Sequence, residues 1–162
     1  MKPVILALSF GKPDCAGGNV LTAKWAGIIS QGDIPIACDV SVPLDNRTYM
    51  VHRVGSIYPE DHVSTLTLTR ELSRLCVVEE WNLVIVVCAP DYANRVVRDL
   101  KKAFREIRLS AVMLKAELSS EENPRDWYRG SWQWQTESRF IFKICELILR
   151  PMPFWLYEWI TT

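Results

Sequence analysis

Side chains able to do chemistry fall into three groups. Ser64, Thr65 and Thr67 set three hydroxyls into four residues at the start of a helical pattern. Asp91, Tyr92 and Arg95 follow an apolar run and bring a carboxylate, a phenol and a guanidinium within five residues. The third group is Ser9, Gly11, Gly17, Gly18 and Asn19, after the first apolar run, with Asp39 in the second. Arg95 has the fork that grips phosphate or carboxylate, or it is an ordinary exposed helix arginine. Asp91 could orient Arg95 or act as a base. Hydroxyls at a helix start cap it or serve a ligand there. Gly17 and Gly18 either present backbone amides to an anion or only make a turn. Asp39 either holds a ribose hydroxyl or caps a turn. Together these residues describe a site for a small anionic or nucleotide-like molecule. No GxGxxG and no GxxxxGK[ST] is present, so neither a dinucleotide fingerprint nor a P-loop is assigned. His52 and His62 have no partner at metal-ligand spacing. The residues name no reaction, and the cofactor stays unknown.

The elements that must position these groups alternate. Pro3 to Phe10 reads as a buried strand, Thr22 to Ser30 as a helix with Leu21, Trp25, Ile28 and Ile29 inward, and Ile34 to Val42 as a second strand. Pro43 to Glu60 reads as irregular. Ser64 or Thr67 caps a helix running to about Cys76, and Glu71 is spaced for a capping box with Thr67. Asn82 to Ala89 is almost unbroken apolar and β-branched, as in an interior strand of a parallel sheet. Pro90 and Asp91 break it. Val96, Val97, Leu100, Ala103, Phe104 and Ile107 then recur at helical spacing, with arginines and lysines filling much of the rest. Ser110 to Ala116 is another strand. Gln135 to Leu149 is a last amphipathic helix with Phe140, Ile141, Ile144, Cys145 and Ile148 inward. The expected fold is therefore α/β, three-layer and Rossmann-like, with a mainly parallel sheet and helices on both faces. In such sheets ligands bind past the carboxyl ends of the strands, where the three groups lie.

With 162 residues, one domain over 1–150 is expected, followed by an aromatic tail, 151–162, packed on the domain or on a partner. The five cysteines form no CxxC pair and read as buried reduced thiols of a cytoplasmic protein. No signal peptide is visible, and no run of about 18 apolar residues predicts a spanning helix. The net charge is zero, which argues against a nucleic-acid partner. Asp99 and Glu106 interrupt the basic helix face for the same conclusion. Four of the seven tryptophans lie from Trp132 onward. Such residues favour interfaces, so self-association through the C-terminus is the alternative to ligand binding. A peripheral membrane contact by Phe154, Trp155, Tyr157 and Trp159 is a further option.

The order of motifs resembles the YdcF-like family, a domain of unknown function also found in SanA and ElyC proteins. Ser64 and Thr67 match the Ser and Thr that open its mid-chain helix, and Arg95 matches the Arg of the turn after its apolar strand. Thr69 and Arg70 stand where the family has Glu and Asn, and Tyr92 replaces its His. Trp132, Trp134 and Glu137 are reminiscent of the aromatic stretch before its closing helix. The resemblance implies a Rossmann-like fold and a site between the first-strand loop, the Ser/Thr helix and the Arg turn. It also implies a nucleotide-like ligand such as S-adenosylmethionine. Losing the His and the Glu removes the groups best suited to proton transfer, so binding without catalysis is expected.

Overall fold

The computed structural model describes residues 1–10, 15–55, 64–116, 123, 125–131, 136 and 138–161. Its centre is a five-stranded, wholly parallel sheet in the order β3-β2-β1-β4-β5. The strands are β1 (Pro3–Ala7), β2 (Ile36–Cys38), β3 (Val51–Arg53), β4 (Leu83–Val87) and β5 (Val112–Lys115). β1 and β4 run in register from Pro3 opposite Leu83 to Ala7 opposite Val87. Both are interior strands and unbroken apolar ones, because each faces a covered side twice. β3 is an edge strand inside the stretch expected to be irregular. Its three residues are too few to show a period, and His52 within it meets Trp81 edge-on at 5.0 Å.

Helices α1 (Gly17–Ser30), α2 (Thr65–Val78) and α3 (Ala93–Glu106) cover the sheet. Alternation along β1 divides the core. Val4, Leu6 and Leu8 meet Leu68 and Leu72 of α2 and Val96, Leu100 and Phe104 of α3. Ile5 and Ala7 meet Ala26 of α1 on the other side. The chain is thus a three-layer Rossmann-like α/β domain. α2 and α3 are also joined by Arg70, which forks onto Glu106 at 2.8 and 2.9 Å.

α1 starts five residues before its expected position, so Gly17, Gly18 and Asn19 lie in its first turn rather than in a loop. Its buried face is made of small residues, Gly18, Asn19, Thr22, Ala26, Gly27 and Ser30, while Ile28 is exposed. A helix packed this closely has no room for larger side chains. β2 ends at Cys38, so Asp39 and Ser41 stand just beyond it.

The C-terminal region adds a 3-10 turn (Asp126–Tyr128), α4 (Arg139–Leu149) and α5 (Phe154–Thr161). Pro151 and Pro153 separate the last two helices, as prolines must. α4 is turned over relative to its expected orientation. Phe142 and Glu146 face inward, and Phe140, Ile144, Leu147 and Ile148 face out. The reason lies in what the helix packs against: Arg95 of α3, which Glu146 meets, and the rings of Phe10, Tyr92 and Tyr128, which Phe142 meets. Among the described residues no helix is long and apolar enough to cross a membrane.

Candidate functional site

The strand order reverses between β1 and β4, so their exits diverge and leave a crevice at the carboxyl edge of the sheet. β1 leads into Ser9 and Phe10; β4 leads into Cys88–Tyr92 and the start of α3. Four buried rings fill this crevice. Phe10 lies 6.0 Å from Tyr92, 5.0 Å from Tyr128 and 4.7 Å from Phe142, ring centre to ring centre. Phe142 closes the set against Tyr92 and Tyr128 at 6.2 and 5.9 Å. The contacts between tilted and edge-on rings are those aromatic quadrupoles favour.

Ser9, Asn19, Asp39 and Gly17 of the first-strand group make bonds within the fold. The Phe10 amide donates to Asn19 Oδ1 at 2.6 Å. Asp39 accepts from the Ser9 amide at 3.0 Å through Oδ2 and from the Ser41 amide at 2.8 Å through Oδ1. The start of α1 is closed by the protein's own chain, since the Gly17 amide donates to the Arg129 carbonyl at 2.7 Å. A Cβ on Gly18 would sit 2.7 Å from the Trp127 carbonyl oxygen and 2.9 Å from Phe10. These glycines admit the 3-10 turn, and the Gly17 amide is taken by it. Gly11 lies outside the described residues, as do His62, Trp132, Trp134 and Glu137.

The hydroxyl group and the turn group do meet. Ser64 is the N-cap of α2, accepting from the Thr67 amide at 3.2 Å and lying 2.9 Å from the Thr67 hydroxyl. Glu71 completes no capping box with Thr67; it accepts from the Gly55 amide. Thr65 shares a buried hydrogen bond with the Tyr92 hydroxyl. Burial pushes the Tyr92 phenol well above its ordinary pKa, so it stays protonated and can donate. The Arg95 guanidinium stacks over the Tyr92 ring at 4.7 Å.

Arg95 has its anion already. Its Nε lies 2.7 Å from Glu146 Oε1, with side chains 13% and 5% exposed, so the pair is shielded from water. The contact is ionic, and neither Glu146 oxygen gains a well-directed hydrogen bond among the described residues. Burial raises the Glu146 pKa, with Arg95 pulling the other way. Asp91 is also taken. It accepts from Arg139 Nε at 2.7 Å and from the Tyr128 hydroxyl at 3.0 Å. Burial pushes its pKa up, but these hydrogen bonds outweigh burial and hold it below the usual carboxylate range.

A second polar cluster binds the C-terminal helices to α3. Asp99 is fully buried instead of interrupting an exposed basic face, and it accepts from the Tyr157 hydroxyl at 2.9 Å. Arg98 donates to the Leu149 and Arg150 carbonyls at 2.8 and 2.7 Å, capping the end of α4, and lies over Phe154 and Tyr157. Sequence reasoning missed Arg98 and Glu146, and it gave Asp99 and Tyr157 other roles than their bond to each other. The available signal was a single acid inside an otherwise apolar helical repeat, at Asp99 and at Glu146. Cys38, Cys76 and Cys88 are buried thiols pushed up to about 12, too high for a nucleophile at neutral pH. Among the described residues no group of His, Cys, Asp and Glu could hold a metal ion. No family model, no curated protein and no solved structure matches this chain.

Proposed function

We propose that this chain is an interaction protein, in which a Rossmann-like domain holds two apolar C-terminal helices ready for a partner. The observation that carries the reading is the outward side of α4 and α5. Phe140, Leu147, Trp155 and Trp159 are each more than two-thirds exposed, at 74, 76, 71 and 78%. Single exposed apolar residues are ordinary, but four of this size within 20 residues favour association as the reading. The crevice supports the same reading, because its rings and the Arg95–Glu146 pair occupy the place of a ligand.

The test replaces Leu147→Glu together with Trp155→Gln in the whole chain. The reading expects an unchanged melting temperature and loss of retention on a phenyl matrix. Retention equal to that of the parent chain would refute it. So would a melting temperature lower by more than about 5 °C, which would make the surface part of the core.

A second reading is a small anionic or nucleotide-like ligand at the start of α2. It is favoured by the gathering of Ser64, Thr65 and Thr67 beside Tyr92. The likeness to the YdcF-like family rests on the same positions and is itself a proposal. Nucleotides, S-adenosylmethionine and sugar phosphates are the compounds to screen by thermal shift. A stabilising compound whose effect disappears in Thr65→Val supports this reading, and an effect left intact by that change sinks it.

A further inference from the structure

The outward side of α4 is one-sided in charge as well as apolar. Phe140, Ile144 and Leu147 follow one another at four- and three-residue steps, which places them in one row along the helix. Arg139 and Lys143 stand one position before Phe140 and Ile144, and Arg150 continues their row past Glu146; the three cations are exposed and the carboxylate between them is buried. α4 has a single acid, Glu146, and it faces inward onto Arg95. The outward half of α4 therefore presents large aliphatic and aromatic side chains beside a cationic edge whose one carboxylate, Glu146, is buried against Arg95. Asp91 tempers Arg139 at 2.7 Å and Lys143 at 3.9 Å, while the Arg150 carbonyl, capped by Arg98, fixes where that edge ends. α5 adds Trp155 and Trp159, four residues apart and exposed. Tryptophan is the side chain that settles where hydrocarbon meets head groups.

Building on the interaction reading, we propose that the partner is an anionic lipid surface, with α4 lying flat on it. Phe140, Ile144, Leu147 and the two tryptophans enter the head-group boundary, and Lys143 and Arg150 meet lipid phosphates. Amphipathic helices with basic flanks bind in this way without crossing the bilayer. Charge weighs against an antiparallel second copy as occupant. Two antiparallel α4 helices face to face would set each basic row against its own duplicate.

The test is flotation of the whole chain with vesicles of phosphatidylglycerol and phosphatidylcholine, against vesicles of phosphatidylcholine alone. The proposal expects binding to the anionic vesicles about a hundredfold stronger, on the scale of two or three basic side chains near a charged surface. It expects that preference to shrink at least tenfold in Lys143→Ala with Arg150→Ala. It also expects Leu147→Glu with Trp155→Gln to abolish binding at an unchanged melting temperature. No flotation, or flotation indifferent to lipid charge, overturns it. Should light scattering find a dimer that Leu147→Glu with Trp155→Gln dissolves and no vesicle binding, the lipid proposal falls and the interaction reading stands. Should the parent chain be a monomer that neither floats nor binds phenyl matrix, both fall.

Discussion

Replacing Glu146 by Leu should be the most damaging single change among the polar residues, and its reversal by a second change is the sharper result. The Arg95–Glu146 contact at 2.7 Å is worth about 6 kcal/mol by Coulomb's law at an effective dielectric near 20. Removing both ions from water costs several kcal/mol each, so the pair itself is close to break-even. Glu146→Leu keeps the volume but leaves a guanidinium almost buried beside an apolar side chain. The expected loss is about 3–5 kcal/mol, or roughly 6–20 °C in melting temperature for a domain of this size. Arg95→Met leaves the carboxylate alone, at a similar cost. The double variant Arg95→Met with Glu146→Leu should return to within about 1–2 kcal/mol of the parent, because an apolar pair replaces an ionic one. Urea unfolding of the four proteins, followed by circular dichroism, gives the coupling energy of the cycle. A single-variant loss under about 1 kcal/mol, or a double variant as damaged as the sum of the singles, would show that the pair does not hold α4 to α3.

Asp91→Asn should cost about 1 kcal/mol near neutral pH, because its bond to Arg139 is partly exposed and screened. The folded pKa of Asp91 lies below its unfolded value. Its contribution is therefore present above about pH 4 and lost as pH falls through the folded value, so parent and variant should converge in stability in acid. Glu146 has the opposite sign, with a raised folded pKa. Its favourable contribution is fully present below the unfolded pKa of about 4.3 and is lost as pH rises toward the folded value, a slope that Arg95→Met with Glu146→Leu should remove. Gly18→Ala must push its methyl into the Trp127 carbonyl and Phe10, and thermal melting should register a loss of about 2–3 kcal/mol. Alkylation at pH 8 should leave Cys38, Cys76 and Cys88 unmodified until the protein unfolds; rapid native-state labelling by mass spectrometry would contradict their burial.

What the sequence disclosed was the part of the fold that follows from local pattern. β4 and α3 are legible because Leu83–Val87 is uniformly apolar and the next residues change period at Pro90. Ser64 is legible as a cap because its chemistry is satisfied three residues away. The orientation of α4 was hidden, since its sequence carries enough apolar residues to bury either side. The choice was made by Glu146, whose partner Arg95 lies 51 positions earlier. α1 was misjudged for the converse reason: small residues pack by letting backbones approach and leave little hydrophobic signal. The candidate site showed the same division. Its residue types are where the strand exits put them, but Asp39, Asn19, Asp91 and Arg95 each serve a neighbour that no spacing rule reveals.

The four rings at the strand exits come from positions 10, 92, 128 and 142, so they span most of the chain. A contact set of such long sequence separation cannot nucleate folding, because loop closure must precede any gain. Its formation belongs to the last stage, after the sheet has paired and when α4 settles. Changes at Phe142 should accordingly speed unfolding and leave the refolding rate nearly untouched. Synthesis on the ribosome imposes the same order, with β1 through β5 completed before α4 and its Phe142 arrive.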